Sequence, residues 1–382
     1  MQIGVPVETE RLETRCALSP EAAAKLVRLG ATVVVEAGVG KHCDWPDTAY
    51  TDAGATLAKS RKDTLKSDCV LRVRKPPKAE VQDMKKGAVH ISFLDPFHER
   101  ELVDELAKRN VSALSMEMVP RSTRAQKLDA LSSQHSLAGY YMVILAAERL
   151  GKILPMMMTP SGTIKPARVF VIGAGVAGLQ AIATAKRLGA RVEAFDTRPV
   201  VKTEVESLGA RFVEIDLGET GQTAQGYAKA LTPEQIEKQQ AGMAQHCAQS
   251  DIVITTAQLF GRPAPTVVTD AMIEGMRDGA VIVDYAAATG GNVEGSQLDE
   301  EVKVHGVRVI GFSNYPGHVA VDASRMYANN LCNLLAEFWD KEAAAFVLNR
   351  EDEIIQGSLV THAGELVNPV IRKAYGLEEV TA

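Results

Sequence analysis

Hydrophobic and polar positions in this chain fall into two successive α/β patterns separated by a punctuated linker. In the first pattern, short runs rich in β-branched residues predict strands at Gln2–Val7, Ala31–Ala37, Cys69–Val73, Val89–Leu94 and Val111–Met116. Between them, Ser19–Gly30 and His98–Arg109 carry helical spacing, and Ser19 is placed to cap the first helix with Pro20 at its first helical position. Such alternation implies a parallel sheet with helices on both faces. A helical stretch over Ser133–Gly151 then leads into the linker Ile153–Ala167. The second pattern is stronger, with strands expected at Arg168–Ile172, Arg191–Asp196, Arg211–Asp216, Asp251–Thr256, Ala280–Tyr285 and Val307–Phe312. A last amphipathic pattern, Asp322–Glu342, is expected to carry the chain back to the first domain, which the C-terminal segment completes. The expectation is an α/β protein of two doubly wound parallel-sheet domains joined by long helices, residues 1–132 plus 322–382 and residues 133–321.

Composition narrows the classes of function. At roughly 150 residues per domain, 382 residues suit two or three domains. A net charge of −6 argues against a nucleic-acid partner, because phosphate binding needs a concentrated excess of Lys and Arg. The five cysteines are scattered, with no metal-ligand spacing, and read as reduced thiols of a cytoplasmic protein. The eight histidines form no ligand constellation, so no metal is assigned. The start MQIGVPVETERLETR lacks the basic region and apolar core of a signal peptide. The longest uncharged run, Val169–Ala185, is shorter than the roughly 20 apolar residues of a spanning helix and contains three glycines. The chain therefore reads as soluble, with no direct membrane insertion, and any membrane role comes through a partner. Met156–Met158 is read as hinge or core packing rather than a soft-metal site, since adjacent methionines point in different directions.

The most specific chemistry is Gly173-x-Gly175-x-x-Gly178, directly after a predicted strand and opening a predicted helix, Val176–Leu188. The first glycine permits a tight turn, the second lets the backbone approach a pyrophosphate, and the third lets helix and strand pack closely. A diphosphate there meets unpaired amides at the positive helix end. Asp196 ends the next strand and is placed to accept the adenosine ribose hydroxyls, which favours NAD(H) over NADP(H), although Arg198 can receive a phosphate. This makes the second domain a Rossmann NAD(H)-binding domain; the first, from its own alternation of strands and helices, is expected to be flavodoxin-like or Rossmann-like. Arg121, Gln126, Asp129 and Ser132 form a polar cluster expected where the two domains meet; from spacing alone it reads equally as a solvated loop with a salt bridge and a cap. The glycine-rich insertion Gly218–Gln235, carrying Gly226 and Tyr227, has the length of a lid or binding loop.

Nearly end to end, the chain resembles the NAD(H)-binding component of proton-translocating transhydrogenase, in the alanine dehydrogenase/transhydrogenase family. The resemblance is carried by Arg124–Tyr140, Gly173–Ala190, the GYAK of Gly226–Lys229, Thr255–Pro265 and the VDAS to NNL stretch of Val321–Leu331. It implies that Arg121, Gln126 and Asp129 hold the nicotinamide end of NAD(H), with Ser132 and Tyr140 at neighbouring positions. Gly226 and Tyr227 match the loop that closes over nucleotide, and Val176, Ala177, Thr197, Thr256 and Ala257 join the cofactor-binding set. The implied activity is hydride transfer between NAD(H) on this chain and NADP(H) on a partner subunit, coupled to proton translocation by a membrane partner. The implied assembly is a homodimer, cytoplasmic and peripheral to the inner membrane through its partner subunits. Transfer between two nicotinamides needs positioning and a dry site, but no general base. An alanine or other amino-acid dehydrogenase, the alternative reading, needs an acid/base pair. Its catalytic histidine position is Asp95 here and its catalytic aspartate position is Ala288, where an acidic residue is also expected in transhydrogenases. Arg15 and Arg74 fall near its substrate-carboxylate positions. A third reading, a non-enzymatic NAD(H)-responsive protein, requires the Arg121–Asp129 cluster to be mere surface.

Overall fold

Ser19 opens the first helix as its sequence dictates: its hydroxyl accepts a hydrogen bond from the Ala22 N–H, and Pro20 leads the helix Pro20–Arg28. Elements of this kind recur through the computed structural model, which describes residues 1–218, 220–221, 231–259 and 261–377. The chain divides into two compact units, Met1–Gln134 with Gly317–Ala382, and His135–Pro316.

The first unit is built on an eight-stranded sheet. Its spatial order is Glu365–Leu366, Leu359–His362, Ser112–Ser115, Val89–Ser92, Cys69–Leu71, Gln2–Val5, Thr32–Val35 and Thr56–Leu57. The six strands from Ser112–Ser115 to Thr56–Leu57 are parallel. The expected parallel sheet is extended at one edge, where Leu359–His362 adds antiparallel to Ser112–Ser115 and turns back through the hairpin to Glu365–Leu366. A two-residue return can join only antiparallel strands, whereas each parallel neighbour needs a crossover helix. The helix Ala320–Glu337 lies within this unit, burying Tyr327, Leu331, Leu334 and Leu335 in one core with Ile3, Val5, Leu71 and Ile91.

In the second unit the seven-stranded sheet runs Arg211–Phe212, Arg191–Phe195, Arg168–Ile172, Ile252–Thr255, Val281–Asp284, Val307–Ile310 and Glu301–Val304. The first six follow the doubly wound order 3-2-1-4-5-6 and are parallel. Glu301–Val304 is antiparallel at the edge. The expected strand Arg211–Asp216 shortens to Arg211–Phe212, an edge position where the following Glu214 and Asp216 have no second neighbour to pair with. Apolar residues cover both sheet faces, Val169, Val171 and Ile254 on one and Phe170, Ile172 and Val253 on the other, as strand alternation requires.

The linker holds a structure that the hydrophobic pattern does not predict. Met157–Thr159 and Gly162–Ile164 form a two-stranded antiparallel hairpin, pairing Met157 with Ile164 and Met158 with Thr163. The methionine run is therefore not core packing: Met156, Met157 and Met158 are 59%, 45% and 73% exposed. No helix among the described residues is long and apolar enough to cross a membrane.

Candidate nucleotide-binding site

The second unit brings its candidate residues together at one point of the sheet. Strand Arg168–Ile172 lies between Arg191–Phe195 and Ile252–Thr255, with Ile172 in register with both Phe195 and Thr255. Gly173, Asp196 and Thr256 each follow one of these aligned residues, so the parallel register alone sets them side by side at the carboxyl ends of the strands. This is the topological switch point, where doubly wound sheets bind ligands.

Each glycine of the turn has a distinct physical reason. Gly173 has φ +98°, a left-handed conformation that glycine adopts without a Cβ penalty. Gly178 sits in the first turn of helix Val176–Arg187, where a Cβ would come within 1.9 Å of the Gly173 carbonyl oxygen. Only a residue without a side chain allows that approach. At Gly175, the helix N-cap, a Cβ would meet nothing within 4 Å. The protein therefore does not need glycine there for its own packing; the open space fits a group that must approach the backbone closely. Val176 and Ala177 follow in the same turn, Ala177 buried. The Thr256 hydroxyl donates to the Gly173 carbonyl at 3.0 Å and tightens the turn from the neighbouring strand.

Asp196 faces the same turn. Its carboxylate accepts from the Ala174 N–H at 2.7 Å and from the Arg198 N–H at 2.8 Å. The Arg198 guanidinium forks onto it through Nε and a terminal nitrogen, both at 2.9 Å. Hydrogen bonding to Asp196 raises the Arg198 pKa, and its positive charge is neutralised there instead of standing ready for a phosphate. Thr197 between them accepts at its carbonyl from the Thr220 hydroxyl.

Two features of this site escape the sequence pattern. Asn292, fully buried, donates to the Ala257 and Pro265 carbonyls at 2.8 Å and accepts from the Ala257 N–H at 3.0 Å. Asp284 in turn accepts from the backbone N–H groups of Asn292 and Ala286. Burial raises its pKa and these hydrogen bonds oppose the rise. The pair fixes the Ala257 peptide just after Thr256. The second feature is Gly139 on helix Ala130–Arg149, where a Cβ would fall 2.2 Å from the Ala177 carbonyl oxygen. The signals are present, an asparagine after Gly290-Gly291 and a glycine inside a helix, but their partners lie 35 and 38 residues away. Tyr140, next to Gly139, is 43% exposed.

Arg121, Gln126, Asp129 and Ser132 belong to the first unit. Arg121 and Gln126 are exposed and Asp129 half-buried. Asp129 accepts from the Ser132 N–H at 2.8 Å and from its hydroxyl at 2.6 Å, which caps the start of helix Ala130–Arg149. The cap that spacing allows is thus present, and it holds the Asp129 carboxylate in one orientation. Gly226 and Tyr227 lie outside the described residues.

The positions of an amino-acid dehydrogenase site hold different chemistry. Asp95 pairs with Lys75 at 3.2 Å and His98 at 2.7 Å, and Ala288 is an exposed methyl group. Arg15 is occupied from within the chain: Glu13 accepts from its Nε at 2.8 Å and a terminal nitrogen at 2.6 Å. Glu13 also accepts from Arg74 at 2.7 Å, through the oxygen that meets the terminal nitrogen of Arg15. Both cations near the substrate-carboxylate positions therefore already hold a carboxylate.

Known proteins share the sequence and the fold of this chain. The family model described as alanine dehydrogenase/PNT, N-terminal domain, matches residues 4–138, and its C-terminal counterpart matches residues 142–369. A relative from Rhodospirillum rubrum, named as the first portion of NAD(P) transhydrogenase subunit alpha, is 44% identical over 97% of this chain and 99% of its own. The crystal structure of transhydrogenase from Sinorhizobium meliloti superimposes with a TM-score of 0.87 at 43% identity, covering 96% of this chain and 100% of that one. An alanine dehydrogenase from Staphylococcus saprophyticus is more distant, 30% identical over 99% of this chain and 97% of its own.

Proposed function

Because the chain belongs to the alanine dehydrogenase/PNT family, we propose that it is the NAD(H)-binding component of a transhydrogenase, exchanging hydride between NAD(H) held here and NADP(H) held by a partner domain. The observation that carries this reading is a complete dinucleotide cradle in a chain whose dehydrogenase positions, Asp95 and Ala288, supply no acid/base pair.

The residues present fit NAD(H). The open space over Gly175 and the amides of Val176, Ala177 and Gly178 would receive the diphosphate, where the helix end contributes about half a positive charge. Asp196, flanked by Thr197 and Arg198, would hold the adenosine ribose by exchanging part of the Arg198 fork for the ribose hydroxyls. Thr256 and Ala257, fixed by Asn292, complete the cradle. When bound, the nicotinamide supplies the hydride. The chain's own residues then have to bind, orient and exclude water, which is the catalysis that a transfer without a proton requires. Arg121, Gln126 and Asp129 are assigned to the nicotinamide end by the family pattern, with Ser132 orienting Asp129, Tyr140 at a neighbouring position, and Gly226 and Tyr227 on a closing loop.

The name of the Rhodospirillum relative, one portion of an alpha subunit, supports further subunits as partners. By the family resemblance, one of them would bind NADP(H) and one would span the membrane and couple transfer to proton translocation. This chain then works at the cytoplasmic side of the inner membrane through those partners. Its exposed hairpin Met157–Ile164 supports a homodimer in which a second copy covers these apolar residues.

Reduction of an NAD⁺ analogue by the purified chain, with and without an NADP(H)-binding transhydrogenase domain, tests the reading, with L-alanine plus NAD⁺ in parallel. Turnover only with the partner domain is the expected result. Turnover with L-alanine alone would overturn it in favour of an amino-acid dehydrogenase.

A further inference from the structure

The loop that the transhydrogenase reading assigns to the nicotinamide is held by a segment of the chain some 200 residues away. Asn330, Asn333 and Glu337 stand at i, i+3 and i+7 on helix Ala320–Glu337, so they share one face. All three side chains are directed at the loop Arg121–Asp129. The carboxamides of Asn330 and Asn333 both donate to the Lys127 carbonyl, each at 3.0 Å. Asn330 also accepts from the Ser133 hydroxyl at 2.9 Å. Glu337 receives the Lys127 ammonium at 2.6 Å and Arg124 Nε at 3.2 Å.

An acidic residue at the last position of a helix faces the negative end of the helix dipole, so its own helix disfavours it. What offsets that repulsion here is the pair of loop cations, and Lys127 holds the Glu337 carboxyl below the ordinary carboxylate range. The segment just beyond reinforces the hold: Asp352 pairs with Arg124, and Glu353 accepts from the Ser122 hydroxyl at 2.9 Å. Beneath these contacts Ala125 and Leu128 are buried in the core that also contains Leu331, Leu334 and Leu335. The loop is thus tied down at Ser122, Arg124, Ala125, Lys127 and Leu128, while Gln126 points to solvent from a short helical turn, Gln126–Leu128.

We propose that the Asn330–Asn333–Glu337 stripe is a positioning element, which fixes the backbone of the Arg121–Asp129 loop so that Gln126 is presented in one register for hydride transfer. The inference rests on the transhydrogenase reading of that loop. Exposed ion pairs contribute little to global stability, so the stripe's effect lies in local order. An active-site group displaced by a fraction of an ångström loses rate rather than fold.

The test uses the full chain carrying Glu337→Gln, Asn333→Ala or both. Hydrogen exchange of the loop amides in the chain alone should accelerate by about tenfold in the double variant, with the central strands unaffected. Hydride transfer to the partner domain at saturating NADH should fall at least about fivefold, while the NADH Kd changes less than about twofold. Unchanged loop exchange, or acceleration spread evenly over the unit, would overturn the positioning role. So would faster loop exchange with transfer unimpaired. A wild-type chain with no partner-dependent transfer removes the transhydrogenase reading and this role together, which distinguishes that failure from the others.

Discussion

At the scale of single residues, Gly175 and Glu13 make opposite cases. Gly175 has φ −79° and ψ −167°, ordinary for any residue, and a Cβ there touches nothing. Gly175→Ala therefore loses only a fraction of an N-cap preference and should lower the thermal midpoint by no more than about 3 °C. A methyl group over the pyrophosphate position should nevertheless weaken NADH binding by at least about tenfold, or ~1.4 kcal/mol. Calorimetric titration beside a melting curve separates the two effects; full affinity in the variant would remove the pyrophosphate assignment. Glu13 is the reverse, a residue whose charge matters to the fold. It is paired with Arg15, their side chains only 1% and 4% exposed. Burial alone would raise its pKa, but Arg15 and then Arg74 outweigh burial and hold it down to about 2. A carboxylate depressed from 4.5 stabilises the fold above the unfolded value and loses that contribution as pH falls toward 2. The amount is roughly 3 kcal/mol. Glu13→Gln, which leaves a buried guanidinium unmatched, should cost roughly 3–5 kcal/mol at pH 7. In urea unfolding, the gap between wild type and variant should narrow below pH about 4. A gap independent of pH would show that Glu13 ionisation is not linked to folding.

Between elements, the close pass of helix Ala130–Arg149 over the dinucleotide helix is the contact to test. Gly139→Ala would place a methyl group 2.2 Å from the Ala177 carbonyl oxygen and 3.0 Å from the Gln180 Cβ. Overpacking of this kind costs about 1–3 kcal/mol. Because Ala177 belongs to the turn proposed for the diphosphate, urea stability and NADH affinity should fall together; loss of stability with full affinity would show that the turn does not follow the helix. This scale also shows what the sequence makes legible. The parallel strands, the Ser19 cap, the glycine turn and Asp196 are readable because their signals are local: apolar runs, a hydroxyl before a proline, an acid ending the next strand. What escapes is long-range. Leu359–His362 joins the sheet by pairing with Ser112–Ser115, and no pattern within either segment records the partner. Asn292 follows two glycines in the sequence, and only the fold sets it against Ala257. The Met156–Met158 run misleads for a different reason: apolar character signals that a residue wants cover, not which chain provides it.

For the whole molecule, that last distinction becomes a prediction. The hairpin Met157–Thr159 with Gly162–Ile164 pairs with no other strand among the described residues, and all six of its residues are exposed. An isolated two-stranded hairpin is marginal in water, and its outer edges present unpaired backbone groups ready for another strand. Charged residues are what usually blunt such an edge, yet the positions here are Met156 to Met158, Thr159, Thr163 and Ile164. A hairpin with no internal cover and no charge within its two strands, where Lys165 follows only after Ile164, is stable when a second chain covers it, so the wild type should sediment at twice the chain mass. Met157→Glu with Ile164→Glu puts two like charges on the directly opposed pair of the ladder. That variant should sediment as a monomer, with the melting of the rest of the chain lowered only as far as dimerisation had raised it through mass action. A wild type that is monomeric at micromolar concentration would remove the homodimer. A variant that remains dimeric would leave the dimer standing and move its interface away from the hairpin, returning the exposed methionines to the partner subunits as the surfaces that cover them.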